Sequence, residues 1–339
     1  MKNLYPVIFT PIYKEMVWGG NHLAEMFGRT LPSDKVGESW DISCRVGEMG
    51  VVANGFCQGL TFQEYIETNK KGILGADYEE VQNFPLLVKI IDANQALSVQ
   101  VHPSDAQASA QARLQINHNP DPGKSEIWYI IKPPTHGNLI IGLKPGTTKA
   151  SLKSAFENNT VEEILNYLPV KAGDFVNIPP GLVHALTPGA MVLEIQQNSD
   201  TTYRMYDYNR LGLDGKPRQL HVEEAFQVAD FSGEIPAQVV KPSRMQMGKN
   251  KFEQVLLGEH FQIEKLTLRD EFDNTTHARC FCIYTCVKGQ GIIRGRGVSV
   301  AVQEGMSVFM PAWLGGYEII PQGEMELIKS TPVLKEGAL

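Results

Sequence analysis

The clearest chemical signal lies near the middle of the chain. Gly173-Asp-Phe-Val-Asn-Ile-Pro179 runs on into Pro180-Gly181-Leu-Val-His184: a glycine, five residues, a proline, one residue, a glycine, two residues, a histidine. This reads as a turn, a short strand and a second turn ending on an imidazole. One histidine among eight is ordinarily a hydrogen-bonded structural residue, and the full spacing is what argues otherwise. Upstream, Ser98-Val-Gln-Val-His102-Pro103 has strand character. Residues two apart on a strand share a face, so Gln100 and His102 point one way and Val99 and Val101 the other. The next plausible carboxylate is Glu126, two residues beyond Lys124. Lys89 sits inside the apolar run Pro85-Leu-Leu-Val-Lys-Ile-Ile91, where a charge is costly unless functional or paired.

These side chains need a β framework to hold them. Pro85–Ile91, Glu126–Ile131, Asn138–Gly142 and Met191–Ile195 are short apolar runs ended by turn residues. With 31 Gly and 20 Pro in 339 residues, the pattern predicts a mainly β protein of the sandwich or jelly-roll kind. Helices are expected in insertions. Thr61-Phe-Gln-Glu64 has the capping-box pattern, and Thr160-Val-Glu-Glu163 repeats it. There Val161, Ile164, Leu165 and Leu168 follow with helical spacing and Pro169 stops the run. Residues 144–169 are therefore expected to be a helical insert that packs as a lid or brace. Gly305-Met-Ser-Val-Phe-Met-Pro311 repeats the spacing of Gly173 to Pro179. Two related β modules follow, joined near Gln238 to Met247.

The twelve-residue motif ending on His184 resembles the second motif of the cupins. In that superfamily the turn aims the histidine into a barrel as a metal ligand. The upstream half departs from the general cupin pattern, because Gln100 replaces the first histidine of His-x-His and the following acid is distant. That departure resembles type I mannose-6-phosphate isomerase in its short bacterial form. Leu97-Ser-Val-Gln-Val-His-Pro103, Gly123-Lys-Ser-Glu-Ile-Trp-Tyr129 and Gln196-Gln-Asn-Ser-Asp-Thr-Thr-Tyr-Arg-Met-Tyr-Asp207 carry the likeness. Val17-Trp-Gly-Gly20 and Glu38-Ser-Trp40 also fit, and the resemblance spans about Pro11 to Ala225.

The resemblance implies a double cupin of two jelly-roll barrels. Residues 1–240 would form the catalytic cupin, including the insert, and 241–339 a second, metal-free one. It implies one zinc per chain on Gln100, His102, Glu126 and His184, with the glutamine open to a place behind the ligands. This donor set carries one negative charge and leaves zinc a strong Lewis acid. It implies a sugar phosphate substrate, with Lys89, Ser98 and Lys124 on the phosphate side. Arg204 would be an active-site arginine stabilising a developing oxyanion; the alternative is a structural salt bridge to Asp200 or Asp207. The proton-transfer base is expected to be Glu194 first and Lys124 second. Trp18 and Trp40 are candidate pocket walls, and His221 is read as structural. Five residues beyond Pro311, where a second metal histidine would fall, stands Gly316. Cys280, Cys282 and Cys286 read as small apolar residues on one strand face.

The expected reaction is interconversion of mannose 6-phosphate and fructose 6-phosphate through a cis-enediol. The rivals are a silent sugar-phosphate sensor and another metal cupin such as a dioxygenase. A net charge of −7 and no basic run argue against nucleic acid and anionic membrane as partners. Five cysteines and no long apolar segment favour a soluble cytoplasmic protein without disulfides. The oligomeric state is open.

Overall fold

The apolar runs become strands, and alternation along them decides which side chains meet. The computed structural model describes residues 3–113, 121–158, 160–232 and 239–334. In chain order the first eleven strands considered are β1 Ile12–Gly20, β2 Val36–Ile42, β3 Leu86–Ala93, β4 Val99–Val101, β5 Glu126–Lys132, β6 Asn138–Leu143, β7 Leu165–Pro169, β8 Phe175–Ile178, β9 His184–Ala185, β10 Ala190–Gln197 and β11 Tyr203–Tyr206. They make a six-stranded sheet, β8-β5-β10-β3-β2-β1, and a five-stranded sheet, β7-β6-β9-β4-β11. Trp18, Ile91, Trp128, Ile130, Ile141, Val176 and Val192 share one buried apolar cluster. A second cluster joins Val99, Val101, Ile140, Tyr203 and Met205 to Leu152 and Ala155 of helix Lys149–Glu157 and to Ala225 and Phe226 of helix Val222–Val228. Helices thus brace the face carrying Val99 and Val101, and Gln100 points the other way.

Thr61 caps helix Phe62–Thr68 as its sequence predicts, with Glu64 bonding back. The Thr160 pattern does not make the expected helix. Val161–Ile164 is a short 3₁₀ turn, Thr160 makes no side-chain cap, and Leu165–Pro169 is strand β7. Leu168 pairs with Leu139 and Tyr167 with Ile140. Pairing satisfies the edge of β6 and still buries Leu165, so sheet closure overrides a helical spacing only eight residues long. Pro169 is tolerated because β7 is an edge strand.

The chain divides into two compact units, residues 13–39 with 89–240, and residues 1–12 with 40–88 and 241–339. A single cut along the sequence does not anticipate that residues 40–88 pack with the C-terminal segment. Their reason is aromatic: Phe62 lies 4.3 Å from Phe9, 4.7 Å from Phe84 and 5.3 Å from Phe309, centroid to centroid.

The C-terminal segment supplies β12 Ser243–Met247, β13 Asn250–Leu257, β14 Phe261–Leu268, β15 Phe272–Thr275, β16 Cys282–Lys288, β17 Gln290–Gly295, β18 Val298–Gln303, β19 Ser307–Met310, β20 Gly316–Pro321 and β21 Met325–Pro332. They form sheets β12-β13-β14-β21-β16-β19 and β15-β20-β17-β18. The strand of each glycine–five–proline repeat, β8 or β19, edges its six-stranded sheet. Ile178, just before Pro179, pairs with Glu126, and Met310, just before Pro311, pairs with Cys282. Cys282 therefore stands where Glu126 stands. Gly316 pairs with Thr275 as His184 pairs with Gln100. The second barrel holds a thiol and a glycine in place of carboxylate and imidazole. Cys282 and Cys286 join its apolar core, and all five cysteines are unpaired. Among the described residues no helix is long and apolar enough to cross a membrane.

Candidate active site

Strand register sets out one row of side chains. His184 pairs with Gln100, and Gln100 with Arg204, across β9, β4 and β11. Directly paired residues share a face, so imidazole, amide and guanidinium line up. On the six-stranded sheet Glu126 pairs with Gln196 and Trp128 with Glu194. The turn before His184 needs Gly181 at φ +84°, and its N–H donates to the His102 carbonyl at 2.9 Å. That bond ties the two histidine-bearing segments together.

His102, Glu126 and His184 are buried, and their nearest ligand atoms lie within 4.8 Å of one another. His102 Nδ1 donates to the Thr201 carbonyl at 2.9 Å and His184 Nδ1 to the Leu182 carbonyl at 2.8 Å. A neutral imidazole has one N–H, so both Nε2 lone pairs face the cluster. His102 Nε2 is 3.3 Å from Glu126 Oε1, and His184 Nε2 is 3.8 Å from Oε2. Burial first, and the neighbouring His102 next, push the His184 pKa down to about 3. Burial and Lys124 lower that of His102. Burial works against the Glu126 anion, but Lys124, His102 and His184 outweigh it and hold its pKa well below the usual carboxylate range. Two neutral imidazoles and an ionised carboxylate are what a divalent cation requires.

Both Glu126 oxygens are buried without a hydrogen bond. Lys124 Nζ lies 2.7 Å from Oε1, close enough for charge attraction but off the hydrogen-bonding direction. A fully buried carboxylate so left is costly, and a cation at the cluster would satisfy it. Gln100 presents its amide to the same place, with Nε2 3.4 Å from His184 Nε2. Turned over, the amide offers its oxygen there.

A cleft of about 250 Å³ adjoins this cluster, with Trp18, Leu97 and Trp128 among its apolar walls. Trp40 is buried and is not among the residues that line it. Lys89 reaches it with its Nζ 3.4 Å from Glu38, 3.7 Å from Asp200 and 3.8 Å from Glu194. Burial opposes the ammonium, yet Glu38, Asp200 and Glu194 raise its pKa. Glu194 accepts a 2.8 Å hydrogen bond from Trp128 Nε1. Burial, then Glu126, push its pKa up to about 7, against the pull of Lys124 and Lys89.

Arg204 donates from Nε to Ser98 Oγ at 3.3 Å and from Nη1 to the Gln219 carbonyl at 2.8 Å. It makes no ion pair among the described residues, because Asp207 is held by Arg210 and Arg218 and Asp200 faces Lys89. The salt-bridge alternative for Arg204 is not what the structure contains. His221 bonds to the Arg204 backbone, accepting from its N–H at Nδ1 and donating its own backbone N–H to the Arg204 carbonyl. Glu38 and Arg218 line the cleft and escaped the sequence reading. Glu38 had a signal: it is a charge within the strand Val36–Ile42, the pattern that singled out Lys89. Arg218 had none, being one loop cation among many.

The sequence family described as phosphomannose isomerase type I, catalytic domain, matches residues 7–134. The mannose-6-phosphate isomerase cupin domain matches residues 250–332. The chain is 35% identical to mannose-6-phosphate isomerase ManA of Bacillus subtilis (strain 168), over 96% of this chain and 98% of the relative. It is 31% identical to the mannose-6-phosphate isomerase of Streptococcus mutans serotype c, over 96% and 98%. The crystal structure of the mannose 6-phosphate isomerase from Bacillus subtilis matches with a TM-score of 0.85 at 32% identity, over 96% of this chain and 99% of that one.

Proposed function

The chain belongs to the type I phosphomannose isomerase family, and on that premise we propose that it interconverts mannose 6-phosphate and fructose 6-phosphate with one zinc per chain. The observation that carries the reading is Glu194. A buried carboxyl group, oriented by Trp128 Nε1 at 2.8 Å and with its pKa raised by burial and by Glu126, shares a cleft with a cation-ready cluster and Arg204. A silent binder has no need of a positioned proton acceptor beside a cation site and an arginine.

Gln100, His102, Glu126 and His184 would hold the zinc. When bound, zinc supplies a Lewis acid for the sugar's carbonyl and hydroxyl oxygens. Glu194 moves the proton between C2 and C1 on one face of the opened sugar, through a cis-enediol. Trp128 orients the carboxylate through its 2.8 Å hydrogen bond, and Lys124 is the second choice for the same task. Arg204 stabilises the developing oxygen charge. For the phosphate we favour Arg218, since it and Arg210 together leave one positive charge in excess of Asp207, and Ser98, which lines the same cleft. Lys89 is enclosed by three carboxylates, so it steadies them and offers little net attraction to an anion. Five free thiols suit a cytoplasmic enzyme.

A coupled assay for fructose 6-phosphate formation tests the proposal. Binding of mannose 6-phosphate without turnover would establish the sensor instead. Arg204→Ala is expected to keep zinc and melting temperature and to lower kcat by about 10²–10³-fold, the usual cost of one preorganised donor. Near-normal kcat would remove Arg204 from the chemistry. The base acts as an anion, so kcat/KM is expected to fall as pH drops through Glu194's pKa, which is about 7 in the metal-free chain. A cation offsetting Glu126's repulsion moves that limb lower. A rate that rises on acidification would contradict the assignment.

A further inference from the structure

The loop after β11 holds an ion cluster with no part in the proton transfer. Asp207 is buried and its carboxylate takes two arginines at once. Arg210 donates from Nε at 2.9 Å and Nη2 at 2.7 Å to Oδ1. Arg218 donates from Nε to Oδ2 at 2.7 Å and from Nη2 to Oδ1 at 2.5 Å. The two arginines differ in what else they touch. Arg210 also donates to the Ala96 carbonyl at 2.5 Å and lies over the Tyr208 ring at 5.7 Å. It is therefore fastened to the scaffold just ahead of β4. Arg218 lines the cleft, and Asp207 is the carboxylate that holds it there.

The intervening backbone has its own cost. Tyr208 and Asn209 are successive non-glycine residues at φ 55° and 52°; asparagine enters this region readily, but a bulky tyrosine keeps it only when its surroundings enforce it. The Asp207–Arg210 staple closes this turn. Order thus runs from Ala96 through Arg210 and Asp207 to Arg218.

We propose that Asp207 is a positioning residue that sets the preference for phosphorylated over free sugar, by fixing Arg218 in the cleft wall from a base anchored through Arg210. This rests on the isomerase reading for its substrate but not for its anion. A guanidinium held in one orientation meets a phosphate with its fork aligned, whereas a loose one must be ordered at each binding event.

The test is a comparison of wild type, Asp207→Asn, Arg218→Gln and the double variant, with zinc content and melting temperature on each sample. The first readout is the ratio of kcat/KM for mannose 6-phosphate to that for free mannose. The ratio is expected to fall about 10-fold or more in Asp207→Asn, as for loss of a hydrogen bond between charged groups. Most of the loss should lie in KM for the phosphorylated sugar. The double variant should be little worse than Arg218→Gln alone, since Asp207 acts through Arg218. Asp207→Glu should recover part of the ratio. The second readout is binding of inorganic phosphate by calorimetry, which needs no turnover. If wild type proves inactive but phosphate binding still falls in Asp207→Asn, the positioning role stands and the isomerase reading fails. An unchanged ratio with unchanged phosphate binding in folded Asp207→Asn overturns the proposal. So do fully additive effects in the double variant. If Asp207→Asn does not fold, Asp207→Glu against Arg218→Gln decides by the same two readouts.

Discussion

His102→Ala and His184→Ala are each expected to abolish turnover through loss of zinc, with the fold retained. Both imidazoles are neutral, and both have their second nitrogen tied to a backbone carbonyl. The free nitrogen is thus aimed before any metal arrives. Deleting either leaves Glu126, buried and without hydrogen bonds, with one imidazole fewer. A cation then loses one of its strongest donors. Gln100→Ala removes a neutral amide from the rim of the cluster and should weaken zinc binding by roughly 10- to 100-fold, as loss of a supporting partner does. Metal analysis and kcat on the same samples check the order of effects. Zinc retained at full occupancy in both histidine variants would move the metal elsewhere.

Glu194→Gln is expected to lower kcat by about 10²–10⁴-fold, the range for losing a positioned base, while zinc and melting temperature stay near wild type. The amide oxygen can still accept from Trp128 Nε1, so the geometry survives and only the proton acceptor goes. The Lys124 alternative predicts the reverse: Glu194→Gln near normal and Lys124→Met inactive with zinc retained. Lys124 is harder to interpret alone, because it lies 2.7 Å from Glu126 and its loss also changes the cluster's charge. Solvent deuterium separates the two effects. Isomerisation in D₂O should label the sugar in wild type, and Glu194→Gln should lose labelling and turnover together.

Much of this site was legible in the sequence because strand alternation is a strict rule. Gln100 and His102 share a face whatever else the fold does, and the spacing from Gly173 to His184 leaves few ways to build the turn. Lys89 stood out because an apolar strand tolerates a charge only with partners, and it has three. The same argument applied to Glu38 would have found it. Residues 160–169 misled because one apolar spacing suits a short helix and an edge strand alike; the free edge of β6, set by distant residues, decided it. Arg218 was hidden for the same reason. Its role depends on Asp207, which depends on Arg210 and Ala96, and no local pattern encodes that chain. The aromatic contacts that bring Phe62 and Phe84 together with Phe281 and Phe309 are equally non-local. The absence of a metal-ligating histidine at Gly316 was readable by counting. That Cys282 takes the place of Glu126 required the strand register.

One zinc, held by Gln100, His102, Glu126 and His184, is proposed to carry the mannose-6-phosphate isomerase activity of this chain. The most direct measurement is a titration of chelator-stripped protein with zinc, following the initial rate of fructose 6-phosphate formation from mannose 6-phosphate alongside bound metal. Stripped protein is expected to show no rate, the rate to rise in proportion to bound zinc, and the plateau to fall at one zinc per chain. Full turnover by protein shown to be metal-free, or no turnover at full zinc occupancy, would contradict that role for the metal.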